Sequence, residues 1–405
     1  MKILVLNAGS SSQKACLYEL PDSTLPKHPP EPLWESSVDF THQAGMAEAK
    51  VQTHTGVQQR LEIPIVSKKA VTETLLQTLW QGETQVIERP DQIQAIGHRV
   101  VHGGERYRES ICITPEVKAE IDRLSCFAPV HNPANLEGIE ITEAVFGQSI
   151  PQVAVFDTAF HATLPAAAYT YPGPYDWLEQ GIRRYGFHGT SHRYCAERAA
   201  ELLNRDLASL KLITCHLGNG ASLAAIRQGA CVDTTMGFTP MEGLMMGSRS
   251  GSVDPGILLH LLRTQQHTPE SLDTLLNKGS GMKGISGITN DLRQIVAEAE
   301  QGNDRAQLAL DMYIYRLRYY MGAMLAVLGG LDAIVFTAGV GENSALIRAA
   351  ACEAFGFLGL KLDPDKNAQQ GIDQDITTPD SQIRVFVIRT QEDWAIAKEC
   401  WRLIK

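Results

Sequence analysis

The sequence predicts an α/β protein of more than one domain, built around a strand, glycine turn and strand unit that occurs twice. Strand-like and helical patterns alternate along the chain, which is the signature of an α/β architecture. The run Lys2-Ile3-Leu4-Val5-Leu6 empties into Asn7-Ala8-Gly9-Ser10-Ser11-Ser12-Gln13-Lys14 and returns as strand over 15–20, and 211–226 repeats that order around His216-Leu217-Gly218-Asn219-Gly220. At 405 residues the chain exceeds one ordinary domain, so two or three domains with well-buried cores are expected.

The opening hairpin turn carries little side-chain bulk. Its backbone N–H groups and hydroxyls can close around phosphate oxygens, with Lys14 as a point charge. Neither Gly-x-Gly-x-x-Gly nor a turn closed by Gly-Lys-Ser/Thr is present there, so alone it reads both as an ordinary serine-rich hairpin and as a phosphate loop that needs corroboration elsewhere in the chain. A proline-rich excursion over 21–35 reads as a surface loop. A helix is expected over 70–80, then strands over 95–101 and 152–156, the latter ending on Asp157. A long helical pattern covers 305–328. A third glycine turn, Ala338-Gly339-Val340-Gly341-Glu342-Asn343, separates a strand from a helical pattern over 344–355. Last come a strand over 383–388 and a helix over 392–403, with apolar spacing at Trp394, Ala397, Trp401 and Ile404 that suits packing on the first domain. The expected division is therefore 1–156 plus 392–405, with the first phosphate loop and the terminal helix, and 157–391, carrying nucleotide binding and dimerisation.

Composition narrows the function classes. Hydrophobic residues at 44% and charged residues at 20% are those of a soluble globular protein, and a net charge of -10 argues against nucleic-acid and anionic-membrane partners. The eight cysteines are dispersed with no Cys-x-x-Cys, as reduced thiols of a cytoplasmic protein are. The N-terminus lacks the pattern of a signal peptide, and the longest apolar run, 321–336, is broken by Gly329-Gly330 and Asp332, short of the ~20 residues a membrane span requires.

Polar residues cluster where a simple core would not place them. Gly97-His98-Arg99-Val100-Val101-His102-Gly103-Gly104 sets an arginine in a strand, and 128–135 is expected to be a loop presenting His131. Asp157 ends a strand, His188 precedes a helix that Ser191 is placed to cap, and Arg249 lies on a glycine-bracketed loop. The pairs His98/His102 and His188/His192 have metal-like spacing but no accompanying Glu, Cys or His partner, so zinc is not expected. Phosphoryl transfer asks for this inventory: guanidinium groups and an imidazole for charge on the equatorial oxygens, and a divalent metal bridging phosphates. Arg99, Arg249 and His188 fit the first role, while Asn7, Asp157 and Glu392 offer oxygens for the metal or its waters.

Together the strings at 7–14, 98–105, 128–135, 156–161, 184–192, 216–220, 237–251 and 336–343 resemble the acetate kinase family from end to end. That family belongs to the acetate and sugar kinase, heat-shock cognate and actin superfamily, which implies two duplicated ribonuclease-H-like domains of the actin-like ATPase fold with a nucleotide cleft between them. The resemblance implies reversible, ATP- and Mg²⁺-dependent phosphorylation of acetate to acetyl phosphate, with Mn²⁺ as an alternative metal, and a cytoplasmic homodimer. By that resemblance Asn7 and Glu392 lie at the metal. Ser10, Ser12, Lys14, His216, Leu217, Gly218, Asn219, Gly220, Asp291, Leu292, Arg293, Gly339, Val340, Gly341, Glu342 and Asn343 contact nucleotide. Arg99 holds the carboxylate, His188 and Arg249 stabilise the transition state, and His131 joins the small-acid site. Val101, Val130, Phe187 and Pro240 match the methyl pocket.

Asp157 matches an aspartate often described as a proton donor or acceptor. A carboxylic acid with pKa near ~4.3 is ionised at neutral pH, so a forward reaction needs no general base, and Asp157 is expected to orient metal-bound water or Arg99 instead. Three departures from the family pattern stand out. Val130 replaces the more usual leucine, which leaves room for propionate as a slower substrate. Ser252 replaces aspartate, which is expected to loosen the loop around Arg249. Thr390-Gln391-Glu392-Asp393 replaces a commoner Asn-Glu-Glu after the threonine. The competing readings are a propionate or other short-chain carboxylate kinase and, more remotely, an actin- or chaperone-like nucleotide switch.

Overall fold

The computed structural model of the chain describes residues 1–8, 12–43, 45–129, 131–369 and 371–405. They form two compact units, Met1–Ala159 with Gln391–Lys405, and Phe160–Thr390. Asp157 directly follows the last central strand of the first unit and stays with that unit.

In the first unit β1 (Lys2–Ala8) and β2 (Ser12–Glu19) form the antiparallel hairpin, with Asn7 opposite Lys14. Ile3, Leu4, Val5 and Leu6 are all buried, so β1 is covered on both faces, as its unbroken apolar run requires. Three antiparallel strands extend the hairpin: β3 (Trp34–Gln43), β4 (Met46–Thr53) and β5 (Gln58–Pro64). Sequence reasoning assigned nothing there. The strands alternate polar and small residues, and only one face of β4 is consistently buried. On the other side of β1 lie β6 (Ala95–Val100), the short edge strand β7 (Ile111–Cys112) and β8 (Gln152–Phe156), in the order β5-β4-β3-β2-β1-β6-β8-β7. β6 runs parallel to both β1 and β8. The helix expected over 70–80 spans Lys68–Gln77, because the Ser67 hydroxyl accepts the Ala70 N–H at 3.1 Å and starts it earlier.

The C-terminal helix Glu392–Ile404 packs on this sheet through Trp394, Ile396, Ala397 and Cys400. Trp401 and Ile404, expected in the stripe, are only partly buried, and the Trp401 Nε1–H donates to the Pro21 carbonyl at 3.0 Å. A Cβ on Gly97 would lie 2.5 Å from both Cys400 Sγ and Ile396 Cγ2, so glycine there permits the helix to sit directly on β6.

The second unit repeats the frame with β9 (Lys211–Leu217), β10 (Ala221–Arg227), β11 (Ala230–Thr234), β12 (Ala333–Thr337), β13 (Gln374–Asp375) and β14 (Arg384–Val387). The order is β11-β10-β9-β12-β14-β13, with β9/β10 antiparallel and β12 parallel to β9 and β14. Strand for strand, β3-β2-β1-β6-β8 and β11-β10-β9-β12-β14 have one topology. This is the duplication that the recurring hairpin announces, and it is that of the ribonuclease-H-like, actin-like class.

Asn303 caps the long helix Asp304–Leu328 through the Arg305 and Ala306 N–H groups, each at 3.1 Å. The third glycine turn differs from expectation. It is a short helix, Ala338–Asn343, entered directly from β12 because Ala338 takes a left-handed backbone, φ 65°, and Glu342 Oε1 accepts the Ala338 N–H at 2.9 Å.

Candidate active site

Three strands of the first unit deliver a charged cluster to one end of the sheet. Asn7 and Arg99 lie next to last in β1 and β6, and Asp157 follows β8. Arg99 Nε donates to both Asp157 oxygens at 3.0 and 3.1 Å, its Nη2 donates to Oδ2 at 2.6 Å, and its Nη1 donates to Asn7 Oδ1 at 3.2 Å. The Asp157 side chain is 1% exposed and that of Arg99 21%. Burial works against the Arg99 charge, but Asp157 and then Glu392 outweigh it and hold the guanidinium protonated. Asp393, which sequence reasoning treated only as a neighbour of Glu392, belongs to the same cluster. Burial, and then the Glu392 charge, push its carboxyl up to about 6, against Lys14, an Asn7 hydrogen bond and Arg99. Asp393 Oδ1 is buried with no hydrogen-bond partner among the described residues.

The expected loop at 128–135 is half helix. His131 immediately precedes Asn132–Phe146, and Asn132 and Asn135 lie in its first turn. Asn135 Oδ1 accepts the Val101 N–H at 3.0 Å and Asn132 Oδ1 accepts the His102 N–H at 3.1 Å, so these buried amides fix the segment that follows Arg99. Val101 is buried, and Val130 and Ser10 lie outside the described residues. Ser12 and the exposed Lys14 lie at the start of β2. His98 and His102 are buried, and burial first of all lowers each imidazole to about 4.

In the second unit a cavity of about 750 Å³ is lined by Gly218, Asn219, Asp291, Leu292, Arg293, Gly339, Val340 and Asn343 of the expected set. That volume suits a nucleoside. Gly247, Met282, Asn290, Val296, Tyr313, Ser344 and Leu346 also line it, and only the fold brings these together. Of the other expected residues, Leu217 is buried in β9, and Glu342 folds back to accept the Ala338 and Thr390 N–H groups. Asp291 starts the helix Leu292–Glu300 and pairs with Arg293 at 2.6 Å. Gly341 lies within the short helix, and a Cβ on Gly247 would lie 2.2 Å from Asn219 Oδ1, so glycine there lets the Asn219 side chain sit against the loop.

At the β9–β10 turn a Cβ on Gly220 would sit 3.5 Å from Arg249 Nη1 and 3.7 Å from His188 Nε2, so both side chains reach this turn. His188 has left-handed backbone, φ 58°, and begins the helix Gly189–Leu203. Ser191 does not cap that helix. It is the third helical residue, with its Oγ 2.8 Å from His216 Nδ1 and accepting the Thr390 hydroxyl at 3.0 Å. The rings of His188 and His216 stack at 4.1 Å.

Arg249 Nη1 donates to the Pro240 carbonyl at 3.0 Å, and the buried Phe187 offers its carbonyl to His161 Nε2 at 2.9 Å. Sequence reasoning missed the clamp on this loop. Arg184 donates to the carbonyls of Thr234, Thr235 and Met236, each at 3.0 Å, and pairs with Glu242, which also accepts the Tyr171 hydroxyl. Nor is the loop loosened at Ser252. Ser252 Oγ accepts the Gly243 N–H at 3.1 Å and the Tyr320 hydroxyl at 2.8 Å, tying it to the long helix.

The acetokinase family model matches residues 2–398. The acetate kinase of Gloeobacter violaceus is 63% identical with both chains wholly covered, and that of a Cyanothece species is 64% identical, covering all of this chain and 99% of the relative. Among solved structures, Porphyromonas gingivalis acetate kinase superposes with a TM-score of 0.90 at 42% identity over all of both chains. A propionate kinase from Francisella tularensis superposes with a TM-score of 0.89 at 35% identity over 99% of each. With that identity along its whole length, over a duplicated frame bearing these strings, the chain belongs to the acetokinase family of carboxylate kinases.

Proposed function

We propose that the protein transfers the γ-phosphoryl group of ATP to acetate, reversibly, by direct in-line displacement. One observation carries the reading: Arg249 and His188 both reach the Gly220 turn, whose neighbours Gly218 and Asn219 line the nucleoside-sized cavity. Two donors at the phosphate end of a nucleotide site suit charge spread over equatorial oxygens.

In this reading Arg99 holds the acetate carboxylate, and Asp157 and Asn7 fix the guanidinium plane by accepting from Nε, Nη2 and Nη1. Acetate is ionised at neutral pH, so Asp157 has no proton to remove from it. Val101, Val130, Phe187 and Pro240 bound the methyl group, His131 lies at the small-acid site, and Ser10, Ser12 and Lys14 meet phosphate. Asn7, Glu392 and Asp393 form an all-oxygen donor set with one orphaned buried oxygen, Asp393 Oδ1, which fits a hard divalent cation such as Mg²⁺. When bound there, the ion supplies charge neutralisation on the phosphates.

The long helix buries Leu310, Tyr313, Leu317 and Met321 on one side and exposes Leu308, Tyr315, Tyr319 and Val327 on the other, which suits a homodimer interface. No disulfide joins the described cysteines, as suits a cytoplasmic enzyme. The deciding experiment incubates the protein with ATP, Mg²⁺ and acetate and traps acyl phosphate with hydroxylamine. Hydroxamate above the acetate-free control is expected, and its absence refutes the assignment.

A further inference from the structure

We propose that the hydroxyl proton of Thr214, through a directional chain of hydrogen bonds across His192 and Ser222, fixes His188 as the tautomer that carries its proton on Nε2. The proposal rests on the transition-state role given to His188 above and adds the residues that set its proton.

The geometry is a single file of four side chains within the second unit. Thr214 Oγ1 on β9 lies 2.7 Å from His192 Nδ1, His192 Nε2 lies 2.8 Å from Ser222 Oγ on β10, and Ser222 Oγ lies 2.8 Å from His188 Nδ1. Thr214, His192 and Ser222 are each 0% exposed, so bulk solvent does not reach their polar atoms.

The direction follows from proton counting. The only hydrogen-bond partner of the Thr214 hydroxyl among the described residues is His192 Nδ1, so its proton either points there or is buried unpaired, at real cost. His192 Nδ1 is then an acceptor. Burial, followed by His161 and His216, drives the His192 pKa well below its ordinary value, so the ring is neutral and its single proton lies on Nε2. That proton is donated to Ser222 Oγ. The Ser222 hydroxyl proton is left for His188 Nδ1, which accepts it, and the remaining His188 proton sits on Nε2. Run the other way, the chain strands the Thr214 proton.

The consequence is chemical. The Nε2 edge of His188 is the edge near Arg249 at the Gly220 turn, so a neutral His188 already presents an N–H where phosphoryl charge develops. A cationic His188 would need a proton on Nδ1, where the Ser222 hydroxyl already donates. The other groups around the ring do not favour the cation. His216 stacks on it from β9 at 4.1 Å, Arg249 brings a fixed positive charge, and His161 faces His192 at 5.7 Å with Nε2 on the Phe187 carbonyl. Thr214, His192 and Ser222 are thus positioning residues, acting through His188.

The test is nitrogen NMR on the full chain labelled with ¹⁵N-histidine, with His188→Gln to assign the signals. A lone-pair (pyridine-type) Nδ1 and a protonated Nε2 for His188 at neutral pH support the chain as drawn. A protonated Nδ1, or an even mixture of tautomers, overturns it. Kinetics of Ser222→Ala give a second readout. Without the directing hydroxyl, kcat is expected to fall about tenfold near pH ~8 and the loss to shrink as pH is lowered, because the cation carries the Nε2 proton whichever tautomer it forms from. KM for acetate and ATP should stay within about twofold, because the ground-state contacts remain. A loss that is equal at all pH values, or no loss, overturns the proposal. Wild-type protein that yields no acyl phosphate would refute the acetate reading while leaving the tautomer spectrum readable.

Discussion

Asp157→Asn separates the two roles open to that carboxylate. Asp157 Oδ2 accepts from Arg99 Nε and Nη2, and Oδ1 accepts from Nε, so an amide in its place keeps one acceptor and turns an NH₂ toward a donor. With N···O distances of 2.6 to 3.1 Å the charge centres lie ~4 Å apart, which at an effective dielectric of ~20 is worth ~4 kcal/mol. Arg99 keeps 21% of its side chain in solvent, so we halve that figure to ~2 kcal/mol, a factor of about 30. That loss should appear where Arg99 and the neighbouring oxygen cluster act, as a rise of about 30-fold in half-saturating acetate and a clear rise in half-saturating Mg²⁺. The kcat–pH profile should keep its shape, since no proton is being removed. Initial rates of hydroxamate formation, titrated in acetate and in Mg²⁺ at several pH values, measure all three. Unchanged acetate and Mg²⁺ requirements with the loss confined to kcat would refute the orienting role and restore that of a base.

Arg249→Ala should lower kcat by roughly 10³ or more, the scale of guanidinium stabilisation in phosphoryl transfer, and a change confined to KM in steady-state assays would mean that the arginine only binds. Acetate should exceed propionate in kcat/KM by the ~1 to 3 kcal/mol that a methylene is worth, and a preference for butyrate would sink the acetate reading. Asp393 gives a pH signature. Its folded pKa of about 6 lies above the ordinary carboxylate value, so between the two the folded protein holds a proton that the unfolded chain has lost. Stability should therefore fall as pH rises from ~4 to ~6, by at most ~3 kcal/mol. Denaturant titrations without divalent cation should show that slope, Asp393→Asn should lack it, and Mg²⁺ should flatten it.

The central strands were legible in the sequence because their burial on two faces leaves unbroken apolar runs, as in β1 and β8. The strands 34–64 were not, since β4 and β5 face a core on one side only and carry Glu48, Lys50, Arg60 and Glu62 outward. Among site residues, the arginines and the carboxylate at strand ends were visible as charges in apolar context. Thr214, Ser222, Asn132 and Asn135 were not, because a buried hydroxyl or amide looks in sequence like any polar residue until the fold supplies its partner. Ser191 misled for a related reason: it has cap chemistry, but His188 takes the left-handed backbone that starts the helix three residues earlier than a Ser191 cap would.

The duplication explains why the two halves of the machinery look unlike each other. In open parallel sheets the carboxyl ends of the strands are where ligand-facing groups gather. β1, β6 and β8 end near Asn7, Arg99 and Asp157, while the corresponding β9, β12 and β14 end near His216, Ala338 and Thr390. The register makes the comparison residue by residue: Asn7 pairs with Lys14 across one hairpin, as His216 pairs with Ser222 across the other. One unit has placed an ion pair, Arg99 with Asp157, beside the Asn7 amide, which suits holding a carboxylate and a metal ion. The ends of β9 and β14 in the other carry an imidazole and a hydroxyl, His216 and Thr390, both hydrogen-bonded to Ser191, whose protons can be ordered without net charge. A frame that fixes backbone ends but leaves side-chain polarity free therefore carries two complementary chemistries, and the tautomer of His188 is the point at which that division can be measured.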